Sequence, residues 1–295
     1  MNHPHLDEVA DGVFAYVQPD GGWMVNTMGL IGGPDGATSV DMTSTERRTV
    51  AYLEAAAGVA GPIHRVVYTH AHPDHCNGAS LLPDAEIVAH VTAAEELRHP
   101  HPVAPHIFGP FDQGGVVPRI PTTTFEDSVV LQEGARRIVA THPPRPSHTR
   151  GDAYVWLPDQ RVLFTGDLVF NGGTPFSISG SPSGWLTTLE ELVALDPLVV
   201  VPGHGEPGAL EILEPVARYL RFLIAVADDA HERHLTPLDA ARSTDLGEFA
   251  GLLEPERIVG DLHGRLAELE GRVPDFAAAW EDMREFNGGP LEVHA

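Results

Sequence analysis

The stretch Ile63-His64-Arg65-Val66-Val67-Tyr68-Thr69-His70-Ala71-His72-Pro73-Asp74-His75 decides how this chain reads. Its apolar first half predicts a buried strand over 63–68. Its second half puts His70, His72, Asp74 and His75, all good ligands for a first-row metal, on the turn leaving that strand. Imidazole and carboxylate without thiolate suit Zn2+ or a similar divalent ion. One turn cannot wrap a single ion with all four side chains. His70 and His72, at alternating positions, can meet one ion, while Asp74 and His75 turn toward a neighbouring one.

A two-ion site needs ligands from elsewhere, and three candidates stand where strands are predicted to end. His148 lies in Pro146-Ser147-His148-Thr149-Arg150-Gly151-Asp152, Asp167 in Thr165-Gly166-Asp167, and His204 in Pro202-Gly203-His204-Gly205. Glycine or another small residue flanks each, which lets backbone approach closely. Donors at the ends of several strands are what a site on a sheet edge requires.

Outward from these segments, the pattern predicts short strands over 13–18, 24–32 and 37–40, divided by the turns Pro19-Asp20-Gly21-Gly22 and Gly33-Pro34-Asp35-Gly36. A helix is predicted over 44–57. A strand (85–89) and a helix (92–98) follow, then a proline-rich irregular stretch over 99–121, read as a lid or pocket wall. Strands near 129–131, 137–140, 153–157 and 161–165, a helix over 184–195 and a strand over 198–201 complete the pattern. Beyond 208 the periodicity is helical throughout. The expected fold class is α/β, two sheets covered by helices, with 1–207 as catalytic core and 208–295 as a helical extension packed on it.

Composition narrows the function. Among 295 residues, 18 are basic and 42 acidic, a net charge of −24, which argues against a nucleic-acid partner. Every basic residue is arginine, so a lysine Schiff base is excluded. The single cysteine, Cys76, excludes a disulfide framework and a cysteine-rich zinc finger, and is read as a buried small hydrophobe. No run approaches the roughly eighteen apolar residues of a membrane span, and the start has no apolar signal region, so no membrane association and a cytoplasmic location are expected. Of the 17 histidines, His3 and His5 are read as tail, His99, His101 and His106 as loop, and His231 and His234 as helix surface.

The series His70-x-His72-x-Asp74-His75, His148, Asp167, His204 resembles the motifs of the metallo-β-lactamase superfamily, with every ligand position filled. The resemblance implies an αβ/βα sandwich with a C-terminal helical extension. It implies one zinc held by His70, His72 and His148, another by Asp74, His75 and His204, with Asp167 bridging. Two Zn2+ with a bridging hydroxide suit an oxyanion or enolate that develops during reaction. Asp74 is the expected catalytic group, orienting the hydroxide or taking its proton. Asp41, ending the strand 37–40, resembles the superfamily's supporting aspartate, the other reading being an N-cap for the next helix.

A narrower resemblance runs nearly end to end. Gly22-Trp23, Gly166-Asp167, Thr174-Pro175-Phe176, Gly180-Ser181, Tyr219-Leu220-Arg221, the segments 235–242 and 245–253, and Asn287-Gly288-Gly289 are similar to the actinorhodin-type second-ring cyclases and thioesterases of aromatic polyketide biosynthesis. That family implies aldol ring closure of a poly-β-ketone and hydrolysis of its acyl carrier protein thioester. Trp23, Phe108, Phe111, Phe170 and Phe176, in predicted loops, are placed to line a slot for a flat substrate. Arg136, Arg137, Arg145 and Arg150 form a candidate dock for a phosphopantetheine or acidic carrier, against a simpler reading as strand-surface arginines. The competing function within the same chemistry is a zinc hydrolase of small lactones or thioesters, of lactonase or glyoxalase II type. A non-catalytic carrier-binding scaffold is disfavoured by the complete ligand set.

Overall fold

The computed structural model describes residues 3–18, 22–100 and 103–295. Pro19, Asp20 and Gly21 of the predicted turn, and His101, lie outside them. The first sheet runs in chain order through β1 (His5–Ala10), β2 (Val13–Val17), β3 (Met28–Gly33), β4 (Gly36–Val40), β5 (Ile63–Val67), β6 (Glu86–His90) and β7 (Thr123–Phe125). It is antiparallel from β1 to β4 and parallel from β4 to β7. The second sheet uses β8 (Ser128–Glu133), β9 (Arg136–Thr141), β10 (Tyr154–Leu157), β11 (Val162–Phe170) and β12 (Val199–His204), in the order β12-β11-β10-β9-β8. Only β11 and β12 are parallel in it.

The two sheets face each other across an aliphatic core. Val13, Ala15, Val17, Ile31, Val40 and Val67 of the first meet Ile138, Val155, Leu157, Phe164 and Val201 of the second. Strand alternation sends Tyr16 to the opposite side of β2. There it packs with Tyr52 of α1 (Glu46–Val59), and Ala93 of α3 (Val91–Arg98) lies in the same apolar layer. Thr45 caps α1, its side-chain oxygen accepting from Arg48 N.

On the far side of the second sheet lie α4 (Pro182–Ala194), α5 (Leu213–Glu232), α6 (Pro237–Ser243), α7 (Arg257–Leu269) and α8 (Phe276–Phe286). One apolar cluster joins Leu163, Phe170 and Trp185 to Leu220, Leu223, Val259, Leu262 and Met283. Each fully buried side chain of this kind contributes about 1.5–3 kcal/mol, so the C-terminal helices are held firmly on the sheet. The fold is thus a mixed α/β sandwich of two sheets covered by helices, with a C-terminal helical region.

Several elements depart from the sequence expectation. His5, read as tail, opens the edge strand β1, for which no strand is predicted. One of its faces meets solvent, so the apolar signal is weak. The three-residue β7 follows the proline-rich stretch, where no strand is predicted. Residues 24–27 are not strand; Met24 has φ 65° there. β11 does not stop at Thr165 but continues through Asp167 to Phe170, every residue buried, so Asp167 sits within a strand. The irregular stretch is strapped by the end of the chain, with Leu291 N donating to Ile107 O and Gly109 N to Leu291 O.

Candidate metal centre

Strand ends and turns bring the seven predicted donors together. After β5 the backbone turns into the short helix α2 (Pro73–Cys76), which carries Asp74 and His75. Asp167 arrives within β11, and His204 at the end of β12. His148 stands on the loop between β9 and β10. Gly166, at φ +51°, allows β11 to press on the first turn, because a Cβ there would lie 2.3 Å from Thr69 Oγ1.

The side chains fall into two groups. One atom each of His70, His72, His148 and Asp167 lie within 4.8 Å of one another, and so do those of Asp74, His75 and His204. Asp167 adjoins both: its Oδ2 is 3.1 Å from His204 Nε2, 3.4 Å from His148 Nε2 and 3.7 Å from His70 Nε2. Its Oδ1 is 3.0 Å from His75 Nε2, without the geometry of a hydrogen bond.

Hydrogen bonds on the outer ring nitrogens settle where the lone pairs point. His75 Nδ1 donates to Asp41 Oδ2 at 2.8 Å. Thr69 Oγ1 donates to the same carboxylate at 2.7 Å, leaving its lone pairs to accept from His70 Nδ1 at 3.0 Å. His148 Nδ1 donates to the Phe176 carbonyl. In the neutral form of each of these rings Nε2 then carries the lone pair and faces inward. His70 Nε2, His75 Nε2 and Asp167 Oδ1 are buried with no hydrogen-bond partner, and His148 Nε2 faces His72 Nδ1 across 3.0 Å. Buried acceptors aimed at one another are costly unless a cation lies between them. These residues therefore fit Zn2+ or a similar divalent ion.

Electrostatics agrees. Burial, reinforced by the neighbouring histidines, holds His70 and His72 below the usual imidazole range and His148 down to about 3, so these rings are neutral donors at pH 7. His75 differs: burial opposes its charge too, but Asp167, Asp41 and Asp74 together outweigh it and raise its pKa, so a cation at Nε2 would take the place of a proton. Burial would also raise Asp167, yet the surrounding histidines, His204 and His75 foremost, overcome it and lower its pKa. The mouth lies over the first turn, where His72 is half-buried and the Asp74 side chain is 13% exposed against 4% for Asp167.

The structure resolves the alternative at Asp41. It is no N-cap, since Thr45 fills that role; its carboxylate instead accepts from Thr69 N, Thr69 Oγ1 and His75 Nδ1. Cys76 is buried and donates its S–H to His70 O. Of the rings expected to line a slot, Trp23, Phe170 and Phe176 are buried. Trp23 meets Phe108, Phe176 and Trp280 at centroid distances of 5.5, 5.4 and 5.7 Å. Phe170, on β11 rather than in a loop, stacks on His204 at 4.8 Å and 6°. Of the four arginines, Arg136 donates to Asp11 and Gly32 O, Arg145 to Glu191, and Arg150 acts electrostatically on Glu96.

Residues 21–204 match the family model of the metallo-beta-lactamase superfamily, and the chain belongs to that superfamily. Among curated relatives, the 2,4-dinitroanisole O-demethylase subunit alpha of Nocardioides sp. is 31% identical over 146 residues, 48% of this chain and 40% of that one. A probable hydroxyacylglutathione hydrolase of Schizosaccharomyces pombe is 25% identical over 217 residues, 68% of this chain and 76% of that one. This chain therefore spans less than half the length of the first relative. The solved metallo-beta-lactamase from Pontibacter korlensis superposes with a TM-score of 0.62 at 19% identity, covering 74% of this chain and 99% of that one, a likeness of fold. Among the described residues no helix is long and apolar enough to cross a membrane.

Proposed function

We propose that the chain is a dinuclear zinc hydrolase of a small thioester or lactone, of the glyoxalase II type. The observation that carries the reading is the division of seven side chains into two adjoining donor groups around the inward-facing, unpartnered atoms of His70, His75 and Asp167. When bound, paired zinc ions supply Lewis acidity and an activated water at neutral pH. His70, His72 and His148 would hold one ion, Asp74, His75 and His204 the other, and Asp167 both. Asp74, the more exposed of the two donor carboxylates, would orient the nucleophile and hold its proton on the carboxylate oxygen not turned to His204. The relatives named as hydroxyacylglutathione hydrolases support thioester hydrolysis.

A second reading keeps the aromatic polyketide cyclase and thioesterase activity, with acyl carrier protein as partner. The cluster of Trp23, Phe108, Phe176 and Trp280, joined to His148 through the Phe176 carbonyl, favours it. The comparisons support the hydrolase more than the cyclase. Metal analysis of the purified protein, followed by assays on an acyl-thioester mimic, a simple lactone and a monocyclic aromatic polyketide intermediate, separates the two. Metal-dependent turnover of the thioester or lactone is expected. Turnover confined to the polyketide would establish the second reading, and full activity of metal-free protein would end both.

A further inference from the structure

His148 is the one predicted donor that stands on a loop between strands instead of at a strand end or on the first turn, so something else must fix it. The segment 174–181, joining β11 to α4, does so from two sides. The Phe176 carbonyl accepts from His148 Nδ1, and Ser181 N donates to Ser147 O at 2.9 Å. This segment is itself seated on α7, in the C-terminal helices. Ser177 N and Ser177 Oγ donate to Asp261 Oδ1 at 2.6 and 3.0 Å, and Tyr219 Oη donates to Asp261 Oδ2 at 2.8 Å. The fit needs Gly260-Asp261-Leu262-His263-Gly264. A Cβ at Gly260 would lie 2.6 Å from the Phe176 ring, and one at Gly264 would lie 2.9 and 3.0 Å from the carbonyls of Ile178 and Ser177. The two glycines, one turn apart, let the loop lie against helix backbone with the carboxylate between them.

We propose that Asp261, within this glycine-flanked groove, is a positioning residue that sets His148 for metal binding through Ser177 and the Phe176 carbonyl. A ligand's outer hydrogen bond fixes its tautomer and ring orientation, and loss of such a partner typically lowers metal affinity by about 10–100-fold. Asp261 acts one bond further out, so the lower end of that range applies. Its carboxylate is fully buried and oriented by three donors, which leaves it few other positions. The inference rests on the metal-centre reading, and it makes the C-terminal helices part of the site: α7 determines the geometry of one of the zinc ligands.

The test is Co2+ and Zn2+ affinity of the full chain by chelator competition, with the Co2+ absorption spectrum as a geometric readout. Asp261→Ala is expected to weaken one of two binding steps about tenfold and to alter the Co2+ bands. Asp261→Asn keeps an acceptor toward Ser177 N and is expected to bind within about twofold of the parent. Tyr219→Phe removes the other hydrogen bond to Asp261 without touching the loop, and is expected to lower thermal stability while leaving affinity and spectrum unchanged. Gly264→Ala, which pushes on the loop with Asp261 intact, is expected to weaken the same step, and it decides the matter if Asp261→Ala does not fold. If Asp261→Ala and Gly264→Ala match Tyr219→Phe, less stable but unaltered in binding, Asp261 is structural only and the inference fails. If the parent chain binds neither metal, the metal-centre reading itself fails.

Discussion

His75 Nδ1 donates to Asp41 Oδ2 across 2.8 Å, and neither side chain is more than 2% exposed. The same carboxylate holds Thr69, which in turn receives His70 Nδ1. One buried acid thus orients a ligand of each donor group. Asp41→Ala should weaken metal binding about 10–100-fold. Both binding steps should be affected, because His70 and His75 belong to different groups. Chelator competition by isothermal titration checks this, and an effect on a single step would show that Thr69 holds His70 without Asp41.

Asp74 belongs to one donor group alone, with His75 and His204, and is the more exposed of the two donor carboxylates. Asp74→Ala should bring metal content from two ions to one per chain. Turnover should fall by about 100-fold or more, since both the second ion and a proton-holding group are lost. Plasma emission analysis alongside thioester kinetics measures both. Ring closure, if it occurs, should fall in step with hydrolysis, and closure persisting with one ion would separate the two activities.

The convergence of the seven side chains was legible in the sequence because donor residue types are rare at strict local spacing: His70 to His75 lies on one turn, and His148, Asp167 and His204 stand beside small residues. The two-sheet order was legible where strands are buried on both faces, as in β4 and β11. The edge strand β1 escaped because half-exposed edges carry little apolar periodicity. The supporting shell escaped for a different reason. Phe176 acts on His148 through a backbone carbonyl, which has no signature of residue type, and Asp261 lies 113 positions from His148, related to it only by tertiary packing. Nothing in the local pattern at Trp280 marked it as a partner of Trp23.

Trp280 of α8 packs on Trp23, Phe108 and Phe176 at centroid distances of 5.7, 5.6 and 5.9 Å. Trp280→Ala should cost about 3 kcal/mol in stability, the low end for an aromatic truncation because the ring is only half-buried. Metal content should stay at the parent level. Denaturant unfolding gives the first and metal analysis the second. Kinetics distinguishes the functional readings: kcat/KM for a small thioester should hold steady, whereas a polyketide substrate seated against these rings would show a raised KM.

Asp152, which is not among the seven donors, supplies a pH dependence of its own. It is buried, accepts from Thr149 N and, at 2.6 Å, from Thr149 Oγ1, and so shapes the turn just after His148. Burial is the main cause that lifts its pKa, helped by Glu96 and Asp167 and opposed by the Thr149 hydrogen bonds, for a net rise to about 8. In the unfolded chain the same carboxyl titrates near its ordinary value of about 3.9. Between pH 4 and 8 the folded chain therefore holds a proton that the unfolded chain releases, and this group's contribution to stability falls as pH rises through that window. Asp152→Asn keeps an oxygen toward Thr149 and cannot ionise. On zinc-loaded protein, calorimetric melting at pH 4.5, 6.5 and 8 should give variant and parent similar Tm values at the lowest pH and a growing advantage to the variant above it. Parallel Tm curves for the two proteins would mean that Asp152 is ionised in the fold, its charge held by Thr149 alone.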